Sequence, residues 1–381
     1  MKKHLNTTSL KAAAEAKGLS QTAIADALGL TKAAVSKWFN QSSFPRPAEL
    51  LKLGRLLGLK HKELVVESEP RPDPLVAFRK RGASKTTLSH INRAKTMGGY
   101  LEPLVEYLDF DPFVAPKTLK NPSADYRYIQ ELVLKVRKDL NIEEAQPVDF
   151  HQLIGMFHDY QAVIIPTLWG EKSRHENALH IYLPKSQTTW VYLNLDTNIH
   201  DFKFWMAHEL GHVMSISLLE DGDMDLAEDF ADAFAGALLF PAACAVPTYI
   251  KYHQATNDTA RIKVLKEAAK KFLISPLSVY KEIEKFAHTN GQPFAELADR
   301  QLHAFISKFN QSYKNVSASM FDEKQPDATI FMEKVAEVFQ TDIFSAIAQY
   351  LKDKDAGANA LRNILGVSPM DAAAYYEALT Q

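Results

Sequence analysis

The chain has 381 residues, 46% of them hydrophobic and 24% charged, with 44 Lys or Arg against 46 Asp or Glu and a formal net charge of −2. That length is too great for one small core and predicts two or three domains. One cysteine excludes a disulfide framework, and neither a signal-peptide core nor an apolar run near the roughly 20 residues that span a bilayer is present, so a cytoplasmic protein without membrane association is expected.

The near-zero total hides an asymmetry. Residues 1–62 carry eleven Lys or Arg against three Asp or Glu, the signature of a nucleic-acid surface. Within them, Ser20 reads as an N-cap, Gln21 to Leu28 as a short helix, Gly29 as a tight turn, and Thr31 as the cap of a second helix through Trp38. Ile24, Ala25, Leu28, Val35 and Trp38 supply apolar contacts that lock two helices at a steep angle. Together with the closing helix from Pro47 to Leu59, residues 5–66 resemble the Xre/Cro/lambda-repressor class of helix-turn-helix proteins. The resemblance implies an all-α DNA-binding domain over 1–66 that acts as a homodimer on double-stranded DNA. The second helix would enter the major groove by its N-terminal end. Thr31, Lys32, Ala33, Ser36 and Lys37 would then face base edges or phosphates, and Gln21 a backbone phosphate. The alternative is that Lys32 and Lys37 are ordinary solvated lysines.

Residues 67–124 read as linker and helical connector. Pro70, Pro72 and Pro74 stiffen the stretch from Glu67 to Pro74. Phe78 to Lys85 is basic and suited to phosphates beside the helix-turn-helix, although a Phe-Arg segment here also joins two domains in long proteins that this chain resembles. A helix is predicted over Thr87 to Leu108, then a Pro-bearing connector from Asp111 to Pro122. Helices follow over Tyr126 to Leu140 and Asp149 to His158, with strands at Ala162 to Pro166 and Val191 to Asn194.

The most chemically specific stretch is His208-Glu209-Leu210-Gly211-His212. Residues four apart share a helix face, so both imidazoles can reach one metal ion while Glu209 holds a water beside it, as in zinc peptidases. The competing reading is a pair of core histidines, which leaves a buried Glu209 without a partner. A second helix runs from Asp225 towards Pro241. Glu228, Ala231, Phe234, Ala235 and Leu238 share its inward stripe, which makes Glu228 the third ligand. Asp232, one turn on, can accept the free ring N–H of a zinc-bound histidine. The bland alternative for these acids is a solvated helix start, and it is the reading preferred for Asp229. Cys244, in an apolar segment after Pro241, reads as a buried structural thiol.

Met206 to His212 and the Glu228 to Pro241 helix, with its Phe-Ala-x-x-Leu-Leu-x-Pro ending, resemble the ImmA/IrrE metallopeptidases. So do the two strands and the segment from Ala268 to Pro276, so that the resemblance spans residues 125–287. It implies a zincin-like domain with a small sheet over 125–291, a Zn²⁺ ion held by His208, His212 and Glu228, and Glu209 as catalytic base. Glu228 stands thirteen residues before Pro241, where the family's third ligand stands. Trp205 and Phe202-Lys203-Phe204 depart from the family's usual residues and would reshape the substrate groove. An oxyanion donor is expected, with His175 and His180 among the candidates.

Residues 292–381 read as a helical extension that docks on the peptidase domain or on another protein. Helical periodicity covers Ala295 to Tyr313, Ala328 to Leu351 and Ala356 to Leu379, with aromatic stripes (Phe305, Phe309, Tyr313; Phe331, Phe339, Phe344, Tyr350) that read as core. The fold class is thus multidomain α+β: an all-α helix-turn-helix domain, a central zincin-like domain and a helical extension. Two functions fit. One is a DNA-binding regulator whose zinc endopeptidase cuts a regulatory protein such as a repressor. The other is an antitoxin and autorepressor that neutralises a toxin partner by binding, with a structural or sensory zinc.

Overall fold

The computed structural model describes residues 2–40, 43–68, 73–77, 88–109, 118–169, 177–322 and 326–381. It divides into two compact units, Met1–Asp73 and Pro74–Gln381. Among the sequence expectations, Pro70, Pro72, the basic stretch 78–85, His175 and residues 111–117 of the connector lie outside the described residues.

The first unit runs β1 (Lys2–Leu5), α1 (Thr7–Ala16), α2 (Gln21–Leu28), α3 (Lys32–Phe39), α4 (Pro47–Leu57), α5 (His61–Leu64) and β2 (Val65–Ser68). The Ser20 side chain accepts from the Ala23 N–H and that of Thr31 from the Ala34 N–H, both at 3.2 Å, which starts α2 and α3. Gly29, at φ +69°, ends α2 in a left-handed conformation that a side chain would strain. Leu10, Ile24, Ala25, Val35, Trp38 and Leu53 form the core. The unit is not all-α: β1 and β2 pair antiparallel from Lys2 opposite Ser68 to Leu5 opposite Val65. Lys-Lys-His-Leu carries no strand signal of its own. Pairing across the unit, with Leu5 and Val65 buried, makes it one. The stretch expected to be linker from Glu67 therefore begins as sheet.

The second unit is built on a four-stranded sheet among the described residues, in the order β3 (Leu75–Ala77), β5 (Ala178–Leu183), β6 (Thr188–Asn194), β4 (Ala162–Thr167). β4 and β6 are parallel; the other pairs are antiparallel. Helices α6 (Leu88–Leu101), α7 (Tyr126–Asp139) and α8 (Phe150–Asp159) surround it. They are followed by α9 (Ile199–Met214), α10 (Ile216–Glu220), α11 (Met224–Leu239), α12 (Ala242–Gln254), α13 (Asp258–Phe272) and α14 (Pro276–Thr289). The helix expected over Thr87 to Leu108 stops at Leu101 and continues as a tighter 3-10 turn, Glu102–Tyr107. Pro103 lacks the N–H that an α-helix interior needs. No single helix among the described residues is long and apolar enough to cross a membrane.

Residues 292–381 fold as α15 (Asp299–Gln311), α16 (Val316–Met320), α17 (Ala328–Phe339), α18 (Ile343–Lys354), α19 (Ala358–Leu365) and α20 (Pro369–Thr380). The periodic stretch from Ala328 to Leu351 is broken by Gln340 at φ +51°, and that from Ala356 to Leu379 by Gly366 at φ +65°. These helices share the core of the second unit and are not a separate appendage. The Tyr192 hydroxyl donates to Ile364 O (2.6 Å), Trp169 Nε1 to Leu365 O (3.0 Å) and the Thr341 hydroxyl to Ile164 O (2.8 Å). Phe331, Phe339 and Phe344 are buried, as their stripe implies.

Candidate metal centre and nucleic-acid interface

Helix α9 starts at Asn198, whose side chain accepts from the His200 N–H at 3.1 Å, and is buried almost all round between the sheet and α11. Such a helix has no solvent stripe, so its polar residues face protein and need partners. α9 and α11 meet at Gly211. A Cβ there would stand 2.7 Å from Ala231 Cα, so only glycine permits this approach. One turn before Ala231, it brings Glu228 onto the two histidines.

His208 Nε2 and His212 Nε2 lie 3.1 Å apart. Glu228 Oε2 is 3.6 Å from the first and Oε1 3.4 Å from the second. Neither Glu228 oxygen has a hydrogen-bond donor. Three ligands at 2.0–2.1 Å from a tetrahedral ion stand about 3.3 Å from one another, and these three residues could hold a metal ion on that spacing. Asp232 Oδ1 lies 2.9 Å from His208 Nδ1, on the side of the ring away from Glu228. Asp229 is exposed. Glu209 sits beside the cluster, its Oε2 3.8 Å from Nδ1 of His180. His180, on β5, is fully buried with neither ring nitrogen hydrogen-bonded. Sequence reasoning had His180 only as one of two unranked candidates. Its strand showed no distinctive pattern because both faces of β5 are covered.

The electrostatics follow from burial. Burial opposes charge on His208, but the Asp232 and Glu228 carboxylates outweigh it and lift its pKa to about 9. Burial keeps His180 and His212 below the ordinary imidazole range and pushes the Glu209 carboxyl up to about 8. Burial also works on Glu228, but the two imidazoles overcome it and hold that carboxyl well below the usual range. A carboxylate facing two buried ring nitrogens is therefore a place where positive charge is stabilised.

The departures noted in the sequence sit beside this cluster. The Trp205 ring meets His208 edge-on at 5.1 Å. Trp205 and Phe204 line a cavity of about 280 Å³ with Asp232, Gly236, Ser278 and Lys281. Lys203 turns inward instead, its Nζ donating to Phe272 O at 2.9 Å. Cys244 is buried, and burial raises its thiol to about 11, outside the range of a ready nucleophile.

In the first unit Thr31 is exposed with its hydroxyl committed to the α3 cap; Lys32, Ala33 and Lys37 are exposed and Ser36 and Gln21 half-buried. Residues 10–64 match the helix-turn-helix family model, which marks this unit as the DNA-binding module of a transcriptional regulator. No curated protein matches the chain.

Proposed function

We propose that the second unit of this DNA-binding regulator is a zinc metallo-endopeptidase whose substrate is a regulatory protein such as a repressor. One observation carries the reading: donor atoms of His208, His212 and Glu228 converge at 3.1 to 3.6 Å, with a buried Glu209 next to the set but outside it. Zinc, when bound, supplies a water acidic enough to ionise near neutral pH and a Lewis acid for the scissile carbonyl. His208, His212 and Glu228 would hold it. Asp232 accepts the Nδ1–H of His208 and so fixes which ring nitrogen faces the ion. Glu209 takes a proton from the attacking water and delivers it to the leaving amine. His180, neutral and buried, packs 3.8 Å from that carboxylate and bounds the space in which it can turn. In the first unit, Lys32, Ala33, Ser36 and Lys37 of α3 meet the major groove, Gln21 a phosphate, and Thr31 holds the helix start; a homodimer places two such helices on two half-sites.

The test is metal content of the purified chain. About one Zn²⁺ per chain is expected, lost in His208→Ala and His212→Ala, strongly weakened in Glu228→Ala and kept in Glu209→Gln. Loss in Glu209→Gln with retention in Glu228→Ala overturns the ligand assignment.

A second reading is favoured by the closure of the centre: His208 and His212 are 1% exposed, Glu209 3% and Glu228 9%. Burial this deep gives a peptide bond no open path to the ion, although a three-residue ligand set leaves one coordination position free. On that reading the chain is an antitoxin that sequesters a toxin partner around a structural or sensory ion. Glu209→Gln separates the two: it erases the cellular phenotype of a peptidase and leaves that of a sequestering protein unchanged.

A further inference from the structure

We infer that the cavity of about 280 Å³ behind His208 binds an organic cation of the guanidinium or amidinium class, held between the Glu282 carboxylate and the rings of Phe204 and Trp205. The cavity lies where three helices meet: Phe204 and Trp205 come from α9, Asp232 and Gly236 from α11, Ser278 and Glu282 from α14. None of His208, Glu209, His212 and Glu228 lines it. It borders the candidate centre through Asp232, 2.9 Å from His208 Nδ1, and through the Trp205 and Phe204 rings, 5.1 and 6.2 Å from that of His208. The cation site is thus separate from the one proposed for metal and peptide, and it stands whether or not an ion binds there.

Glu282 carries the inference. It is 2% exposed, yet it lines the cavity. The backbone makes room for it: a Cβ on Gly236 would overlap Glu282 Oε1 and stand 2.9 Å from its Cδ, so glycine at 236 lets the carboxylate lie against α11. Oε1 accepts from Lys285 Nζ at 2.8 Å, and among the described residues no donor serves Oε2. The Tyr126 hydroxyl is near enough to feel the Glu282 charge but is buried without a hydrogen bond. Burial raises the Glu282 carboxyl and the Lys285 ammonium opposes it. A second cation therefore finds both an unserved oxygen and a charge that burial leaves poorly compensated. The rest of the lining selects the cation. Asp201 and Asp232 add two carboxylates, while both lysines of the lining are engaged, Lys281 with Glu284 at 2.7 Å and Lys285 with Glu282. The Phe204 and Trp205 rings stand 6.1 Å apart at 85° and form an apolar corner, where a flat, delocalised cation packs better than a compact, strongly hydrated ammonium. A planar fork of N–H donors also matches a carboxylate. Such a fork occurs on small free guanidines and on an arginine side chain alike.

The probe is benzamidine, titrated into the full chain by calorimetry, with benzamide as its neutral isostere. Benzamidine should bind about tenfold or more tighter than benzamide. Glu282→Gln keeps the shape and removes the charge; it should weaken benzamidine by about tenfold or more and leave benzamide unchanged. Ser278→Phe fills the cavity from α14 with the carboxylate still present. It should abolish binding, and it decides the matter if Glu282→Gln folds poorly. Equal binding of benzamidine and benzamide, or benzamidine affinity untouched by Glu282→Gln or by Ser278→Phe, overturns the proposal. Two competitors distinguish the source of the cation. Displacement of benzamidine by agmatine assigns the site to a free small guanidine, and displacement by the blocked tripeptide acetyl-Ala-Arg-Ala-amide alone assigns it to a protein side chain. Displacement by neither overturns the guanidinium class.

Discussion

At the scale of the residue, Gly211 shows how one position decides a centre. The motif's spacing makes His208 and His212 a pair in any helix, but whether Glu228 reaches them depends on how closely α11 approaches. A methyl at Gly211 meets Ala231 Cα at 2.7 Å, and backbone cannot step aside as a side chain can. Gly211→Ala should therefore part the two helices, at about 1–3 kcal/mol, and weaken the proposed metal binding with His208, His212 and Glu228 all still present. Urea melts and metal titration check both; unchanged affinity would mean the approach tolerates a side chain. Lys203 gives a pH prediction. Burial lowers it from 10.5 to about 8, so between those values the unfolded chain binds the more protons. Stability should then rise as pH increases from about 8 to about 10.5, by about 3 kcal/mol from this residue, and be flat below. The difference between wild type and Lys203→Met, measured by denaturation across that range, isolates the effect.

At the scale of the element, α3 is the piece whose sequence and structure agree most fully. Thr31 caps it, Val35 and Trp38 bury its inner face, and Lys32, Ala33 and Lys37 lie outward. Thr31→Ala should destabilise the first unit by about 1 kcal/mol. On a duplex from the chain's own upstream region, Lys32→Ala and Lys37→Ala should each weaken binding and reduce the salt slope by about one. Mobility-shift titrations at several salt concentrations measure this, and a salt-insensitive complex would contradict a phosphate role for either lysine. Elements with a strong period were legible in the same way: the helices read at 126–140 and 149–158 lie within a residue or two of α7 and α8. β1, β2, β3 and β5 were not. Each is defined by the strand across from it: β1, β2 and β3 are too short to hold a pattern, and β5 is covered on both faces and so lacks the alternation that marks a strand.

At the scale of the whole molecule, the C-terminal helices change what a deletion can mean. The His200 ring packs on Phe309 and Tyr313 at 5.0 and 4.2 Å, and the hydroxyl of Tyr192 and the carbonyl of Ile164, both in the sheet, are bonded to residues beyond 340. Removing residues 292–381 should leave a second unit that unfolds without a cooperative transition and binds a hydrophobic dye, as seen by circular dichroism and fluorescence. A truncated chain that melts as sharply as the full one would show the extension to be dispensable. What the sequence alone determined were local facts: the helix-turn-helix with its caps, the histidine pair at one-turn spacing, the inward stripe of α11, and the apolar faces of the later helices. Each rests on a period or a cap within a few residues. The tertiary structure decided which faces meet. It joined residues 74–381 around one core, set His180 beside Glu209 from a strand without signal, and laid Leu75–Ala77 along the sheet edge, because burial and strand pairing are settled between segments far apart in the chain.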